Sequence, residues 1–148
     1  MCAPGMLAAG EWRGRVERVL DGDTLRVERA KGVEKIRLAG VDTPEHGQPF
    51  AEEARTYAVR LVEKRLVWVR EKERDRFGRL VAWVTPEGGE ELGLSLVRAG
   101  LAWRHQYFSD DHQLKRLEQS ARSRRIGLWS DPQPTPPWVW KQTHPRRE

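Results

Sequence analysis

The chain has 148 residues, 38% of them hydrophobic and 33% charged, a single cysteine and a formal net charge of +5. That length fits one soluble domain able to bury a core of its own. Cys2 has no partner for an intrachain disulfide, and no apolar run approaches the ~20 residues of a membrane-spanning helix. The excess of lysine and arginine points to an anionic partner, nucleic acid before a membrane surface.

Residues 1–10 are small and apolar and read as a flexible leader or the remnant of a signal peptide. A single domain is expected over 11–130, followed by a basic tail rich in proline and tryptophan over 131–148. Strand signals come first. Glu17 to Leu20 runs into Asp21-Gly22, a hairpin signal, and Thr24 to Glu28 follows with Leu25 and Val27 on one face. Lys31-Gly32 turns the chain again. Val33 to Leu38 then alternates, with Ile36 and Leu38 on one face and Lys35 and Arg37 on the other.

From Gln48 the period changes. Phe50, Ala54, Tyr57, Ala58, Leu61 and Val62 are spaced for one face of a helix. Arg65 to Arg70 and Arg79 to Thr85 read as a fourth and a fifth strand. Leu92 to Ala99 reads as a short helix closed by Gly100. Ser109-Asp110-Asp111 caps a third helix with the stripe Leu114, Leu117 and Ala121, ending near Gly127. The expected fold class is α+β, mainly a β barrel: a five-stranded Greek-key barrel of the OB type with three helices. The tail is expected not to extend a helix, because of its prolines, and to fold Trp138 and Trp140 back onto the domain.

Three runs carry the chemistry: Asp21-Gly22-Asp23-Thr24, then Arg37-Leu38-Ala39-Gly40-Val41-Asp42-Thr43-Pro44-Glu45, then Asp75-Arg76-Phe77-Gly78-Arg79. Each has a plain structural reading by itself. Asp-Gly is a hairpin turn, Asp42 a cap, Glu45 a solvated loop charge, Arg37 a surface or salt-bridged arginine and Arg79 a turn arginine. The Asp21 run also resembles the opening of an EF-hand loop, but Gly32 stands where that loop needs its bidentate glutamate. Together the runs offer carboxylates for a hard cation, one further glutamate for proton chemistry and two arginines for an anion, an inventory suited to phosphodiester hydrolysis.

These motifs resemble those of the staphylococcal nuclease (thermonuclease) family. Leu96 to Ala102 and the Gly127-Leu128-Trp129 ending extend the resemblance from about Glu11 to Trp129, and the Pro/Trp tail is similar to that of bacterial members with an extension. The resemblance implies a calcium-dependent, sugar-non-specific nuclease acting on DNA and RNA and leaving 3′-phosphates. It implies that Asp23 and Asp42 supply carboxylates to Ca2+ and Thr43 a backbone carbonyl, with Asp21 near the metal. It implies Glu45 as general base and Arg37 and Arg79 on the scissile phosphate. Arg76, Phe77, Trp103, Tyr107 and Phe108 are the expected nucleic-acid contacts, with the Trp103–Phe108 segment as a stacking wall.

The chain departs from the family pattern in places. The loop after Glu45 is short, Phe77 stands where tyrosine is common, and Gly93 replaces a capping asparagine, which is expected to weaken the second helix. The family also suggests a secreted or envelope-associated protein, and a monomer is the default. The alternative is a non-catalytic barrel that binds nucleic acid or a peptide.

Overall fold

The structure is a computed structural model that describes residues 10–105 and 111–145. β1 (Glu11–Asp21) turns Trp12, Val16 and Val19 inward, although the last two are not an even number of residues apart. A register shift between Val16 and Arg18 absorbs the odd residue and restores the inward face. That bulge breaks the period-2 alternation, which is why the strand begins well before the Glu17 expected from pattern alone.

β2 (Thr24–Arg29) and β3 (Gly32–Leu38) complete an antiparallel meander. A two-residue strand, β4 (Val41–Asp42), follows. α1 (Ala51–Val62) lays Ala54, Ala58 and Val62 on the barrel, and small residues at that contact bring its axis close. β5 (Leu66–Arg74) pairs antiparallel with β1 and with β6 (Leu80–Pro86), while β6 runs parallel to β3. The barrel closes in the order β1-β2-β3-β6-β5. Closure leaves no strand edge in the barrel. Val16, Val19, Leu25, Val27, Ile36, Val67, Val69 and Val84 fill its interior.

α2 (Leu92–Arg98) is capped by Glu91, whose carboxylate accepts from the N–H groups of Gly93 at 3.0 Å and Leu94 at 2.8 Å. The cap therefore lies two residues before Gly93, and the weakness expected there is made good. β7 (Trp103–Arg104) pairs antiparallel with β4, setting Trp103 opposite Asp42. α3 (His112–Ser123) starts at the expected Asp111 cap, which accepts from Gln113 N–H at 2.8 Å. The α2 and α3 ends meet at two glycines with positive φ, Gly100 and Gly127, where a Cβ on either would collide with the backbone of the other segment.

The tail departs from expectation. After the 3-10 turn Gly127–Ser130, Pro137–Thr143 forms a fourth helix, α4, with Pro137 at its first position. Proline breaks a helix interior, but at the first turn its missing N–H is not needed and its φ is already set. Pro132, Pro134 and Pro136 precede the helix, Pro137 opens it and Pro145 follows its end, so no proline falls in the helix interior. Trp138 folds back onto Trp103, ring centroids 5.6 Å apart, and Trp103 meets Trp129 edge-on at 4.4 Å. The Arg122 guanidinium lies 4.0 Å from the Trp129 ring. No helix among the described residues is long and apolar enough to cross a membrane.

Candidate active site

The β1–β2 turn places Asp23 at the mouth of the barrel. Gly22 is required there: a Cβ would sit 2.9 Å from Thr43 Cγ2 and 3.0 Å from Ala54 Cβ. This close approach lets Asp23 Oδ2 accept from Thr43 N–H at 2.9 Å, while Thr24 Oγ1 donates to Oδ1 at 3.2 Å. Asp42 arrives from β4, held by its pairing with β7.

Arg37, at the end of β3, reaches across both. Its Nη1 donates to the carbonyls of Leu38 at 2.8 Å and Val41 at 2.7 Å, and its Nη2 lies 3.2 Å from Asp42 Oδ1 and 3.4 Å from Asp23 Oδ2. One guanidinium thus serves two buried carboxylates. Arg79 is held in the β5–β6 loop. Asp75 Oδ1 accepts from the N–H groups of Phe77 and Arg79, both at 2.9 Å, and Oδ2 takes Arg79 Nε at 2.8 Å. Gly78, at φ 81°, completes this turn. Asp75 fixes Arg79 both through the backbone and through the side chain, a supporting role that the sequence reading did not single out.

Glu45 closes the far side. Its N–H donates to Gln48 Oε1 at 2.8 Å, Gln48 Nε2 donates to the Thr135 carbonyl at 2.7 Å, and Lys141 Nζ lies 3.1 Å from Glu45 Oε1. Asp21, Asp23, Arg37, Asp42, Thr43, Glu45, Arg76, Phe77 and Arg79 line one open cleft of about 830 Å³. Lys35, Lys72, His105, Trp138 and Lys141 line it as well. His105 follows β7 and the last two come from the tail, and nothing in their local sequence points to the cleft.

The charges are unevenly satisfied. Burial works against ionising Asp23, but Arg37 and the Thr43 N–H hold its carboxyl below the ordinary value. Burial and then the neighbouring Asp23 charge push Asp42 up to about 7. Burial also opposes charge on Arg37, yet Asp23 and Asp42 keep its guanidinium above its usual value. Two carboxylates therefore share one cation, and the second carries an unrelieved electrostatic cost.

That cost is the test of fit for a metal. A hard divalent cation takes oxygen ligands, and Asp23, Asp42 and the Thr43 carbonyl supply such donors. Among the described residues no cluster of three or more His, Cys, Asp or Glu side chains forms. A cation here would take its other ligands from backbone, water or substrate oxygens.

The Asp42 shift has a sign that can be measured. Its folded pKa is raised, so the stability it contributes is full below about 3.8 and is lost as pH rises to about 7. The depressed Asp23 acts in the other window, losing stability only as pH falls below about 3.8. Thermal melts of chelator-treated protein should fall by several degrees across the Asp42 window. Added Ca2+ should reverse the fall and Asp42→Asn should flatten it. A wild-type profile identical to that of Asp42→Asn would show that the pair carries no such cost.

Residues 35–131 match the family described as staphylococcal nuclease homologue. The chain belongs to that family. It is 39% identical to a protein of Shigella flexneri named micrococcal nuclease, over 91% of this chain and 83% of the relative. It is also 39% identical to an uncharacterized endonuclease of Escherichia coli O157:H7, covering 86% and 84%, and to Protein ParB of Escherichia coli, covering 91% and 82%.

Within this staphylococcal nuclease homologue only the first part of the expected stacking wall, Trp103 to His105, lies among the described residues. Trp103 is only 6% exposed. Its β4–β7 pairing turns the ring into the Trp129–Trp138 cluster, so here it is a packing residue. Tyr107 and Phe108 lie outside the described residues. The aromatic that does face solvent at the cleft is Phe77, 69% exposed, with Arg76 4.9 Å from its ring.

Proposed function

We propose that this protein is a calcium-dependent nuclease that hydrolyses phosphodiester bonds of DNA and RNA. The observation that carries the reading is the convergence of Asp23, Asp42, Glu45, Arg37 and Arg79 on one cleft, from four separate segments of the barrel. The family membership and the nuclease names of the relatives support it.

In this reading Asp23, Asp42 and the Thr43 carbonyl hold Ca2+, with Asp21 beside them. When bound, the cation supplies Lewis-acid polarisation of a phosphoryl oxygen. Arg37, on β3, and Arg79, just before the neighbouring strand β6, would meet the charge that builds on the phosphoryl oxygens. Two fixed, permanently charged guanidiniums suit that task better than lysines. Glu45 takes the proton of the attacking water. Arg76, Lys35 and Lys72 offer sequence-independent phosphate contacts, and exposed Phe77 offers a face on which any base can stack.

Single-stranded DNA, duplex DNA and RNA incubated with Ca2+, with Mg2+ and with excess chelator test the proposal. Cleavage is expected with Ca2+ and is abolished by chelator. Cleavage that survives chelation would remove the metal from the scheme, and tight binding without cleavage under every metal would move the protein to the non-catalytic barrel. Export to the envelope or medium belongs to the same reading, since a non-specific nuclease endangers cytoplasmic nucleic acid. Activity confined to the cytosolic fraction of producing cells would reject it, and a dimer on sizing columns would reject the monomer.

A further inference from the structure

The C-terminal segment is not needed to close the barrel, yet three of its residues act on the wall that carries Glu45. Thr135 accepts from Gln48 Nε2 at 2.7 Å, and Gln48 in turn accepts from the Glu45 N–H at 2.8 Å. Trp138 packs on Trp103 at 5.6 Å and on the His105 ring at 5.9 Å, which seats α4 at the rim of the cleft. Lys141, one turn further along, reaches back to Glu45 Oε1 at 3.1 Å.

The exposures say what this pair does. The Lys141 side chain is 57% exposed and that of Glu45 only 11%. A bridge with one end so wet contributes little to folding stability. What it does contribute is geometry: a glutamate has three side-chain torsions, and the ammonium holds one carboxylate oxygen, Oε1, in place. Misplacing a reacting group by about 1 Å can cost on the order of 100-fold in rate.

We propose that Lys141 is a positioning residue of the nuclease reaction, and that α4 is a strap that fixes the Glu45 carboxylate in the orientation needed to take a proton from water. The inference rests on the nuclease reading above. It places residues beyond the matched segment 35–131 in the working site. Lys141 does not touch the reacting atoms; it acts through Glu45.

The test is a double-mutant cycle on the full chain, reading kcat and KM on single-stranded DNA with Ca2+, with melting temperature as the folding control. Lys141→Ala is expected to lower kcat about tenfold, with KM within twofold and an unchanged melting temperature, and Lys141→Arg to restore most of the loss. In a Glu45→Gln background the same Lys141→Ala change is expected to have no further effect, because there is no carboxylate left to orient. An unchanged or increased kcat for Lys141→Ala overturns the inference. So does a loss confined to KM, which would make Lys141 a phosphate contact, and so does an equal loss in the Glu45→Gln background. Wild-type protein that cleaves nothing under any metal would overturn the nuclease reading, and this inference with it. Active wild type with an indifferent Lys141 would overturn this inference alone.

Discussion

Glu45→Gln is expected to lower kcat by about three orders of magnitude, within the range that a positioned general base supplies. The amide keeps the shape of the side chain but cannot take a proton from water. The backbone links from Glu45 to Gln48 do not depend on the carboxylate, and the lost ion pair is with a lysine that is 57% exposed. The melting temperature should therefore stay within about a degree or two, since an exposed pair is worth about 0–1 kcal/mol. KM should change little, because the proposed role of the glutamate is to accept a proton and not to contact phosphate. Single-turnover cleavage of a labelled strand at saturating Ca2+ measures the effect directly. Activity within tenfold of wild type would assign the base to another group in the cleft.

Arg37→Ala and Arg79→Ala are expected to separate, even though both arginines are assigned to the same phosphate. Arg37 serves two carbonyls and two buried carboxylates at once. Its removal leaves Asp23 and Asp42 facing each other without the guanidinium that bridges them. Breaking a buried pair in this way costs about 3–5 kcal/mol, so the melting temperature should drop by on the order of 10 °C. Ca2+ should raise the melting temperature of Arg37→Ala more than that of wild type, since the carboxylates then lose the guanidinium that bridges them.

Arg79 has one acidic partner, Asp75, and the pair is partly exposed. Asp75 also holds the loop through the N–H groups of Phe77 and Arg79, and those bonds survive the substitution. Arg79→Ala should melt near wild type yet lose about 100- to 1,000-fold in kcat, the range for removing one preorganised donor. Calorimetry and steady-state kinetics on both variants decide the matter. Equal melting temperatures for the two would show that Arg37 is not a structural cation.

Much of the fold is local in origin and so was legible. The strand alternation of Leu25, Val27, Ile36 and Leu38, the Asp21-Gly22 turn, the α1 stripe and the Asp111 cap each reside within a few residues. The Asp75–Arg79 loop was legible as a motif, but the hold of Asp75 on its Phe77 and Arg79 neighbours emerged only with the loop's geometry. The failures have physical reasons. The β1 bulge hides the period that defines a strand. Prolines in the tail looked like a bar to helix, but their position relative to the helix start decides their effect. The cap of α2 came from Glu91, where attention to Gly93 alone saw a defect.

Residue types and their order are legible along the chain: an Asp-Gly-Asp turn, an arginine on a strand, Asp-Thr-Pro-Glu in a loop, and a looped arginine after Asp75. Local turn, strand and capping preferences act over a few bonds, so each of these could be placed on its element without the rest of the chain. Only the tertiary structure decided what they share. The tertiary fold brings Asp23 and Asp42 within 3.4 Å of the Arg37 guanidinium, and burial there is what pushes Asp42 to about 7. The β4–β7 pairing turns Trp103 from an apparent stacking surface into core, and the tryptophan cluster seats α4 so that Lys141 meets Glu45. Contacts of that kind join segments far apart along the chain. Their energies depend on desolvation and packing after the barrel has formed, and no local pattern encodes them.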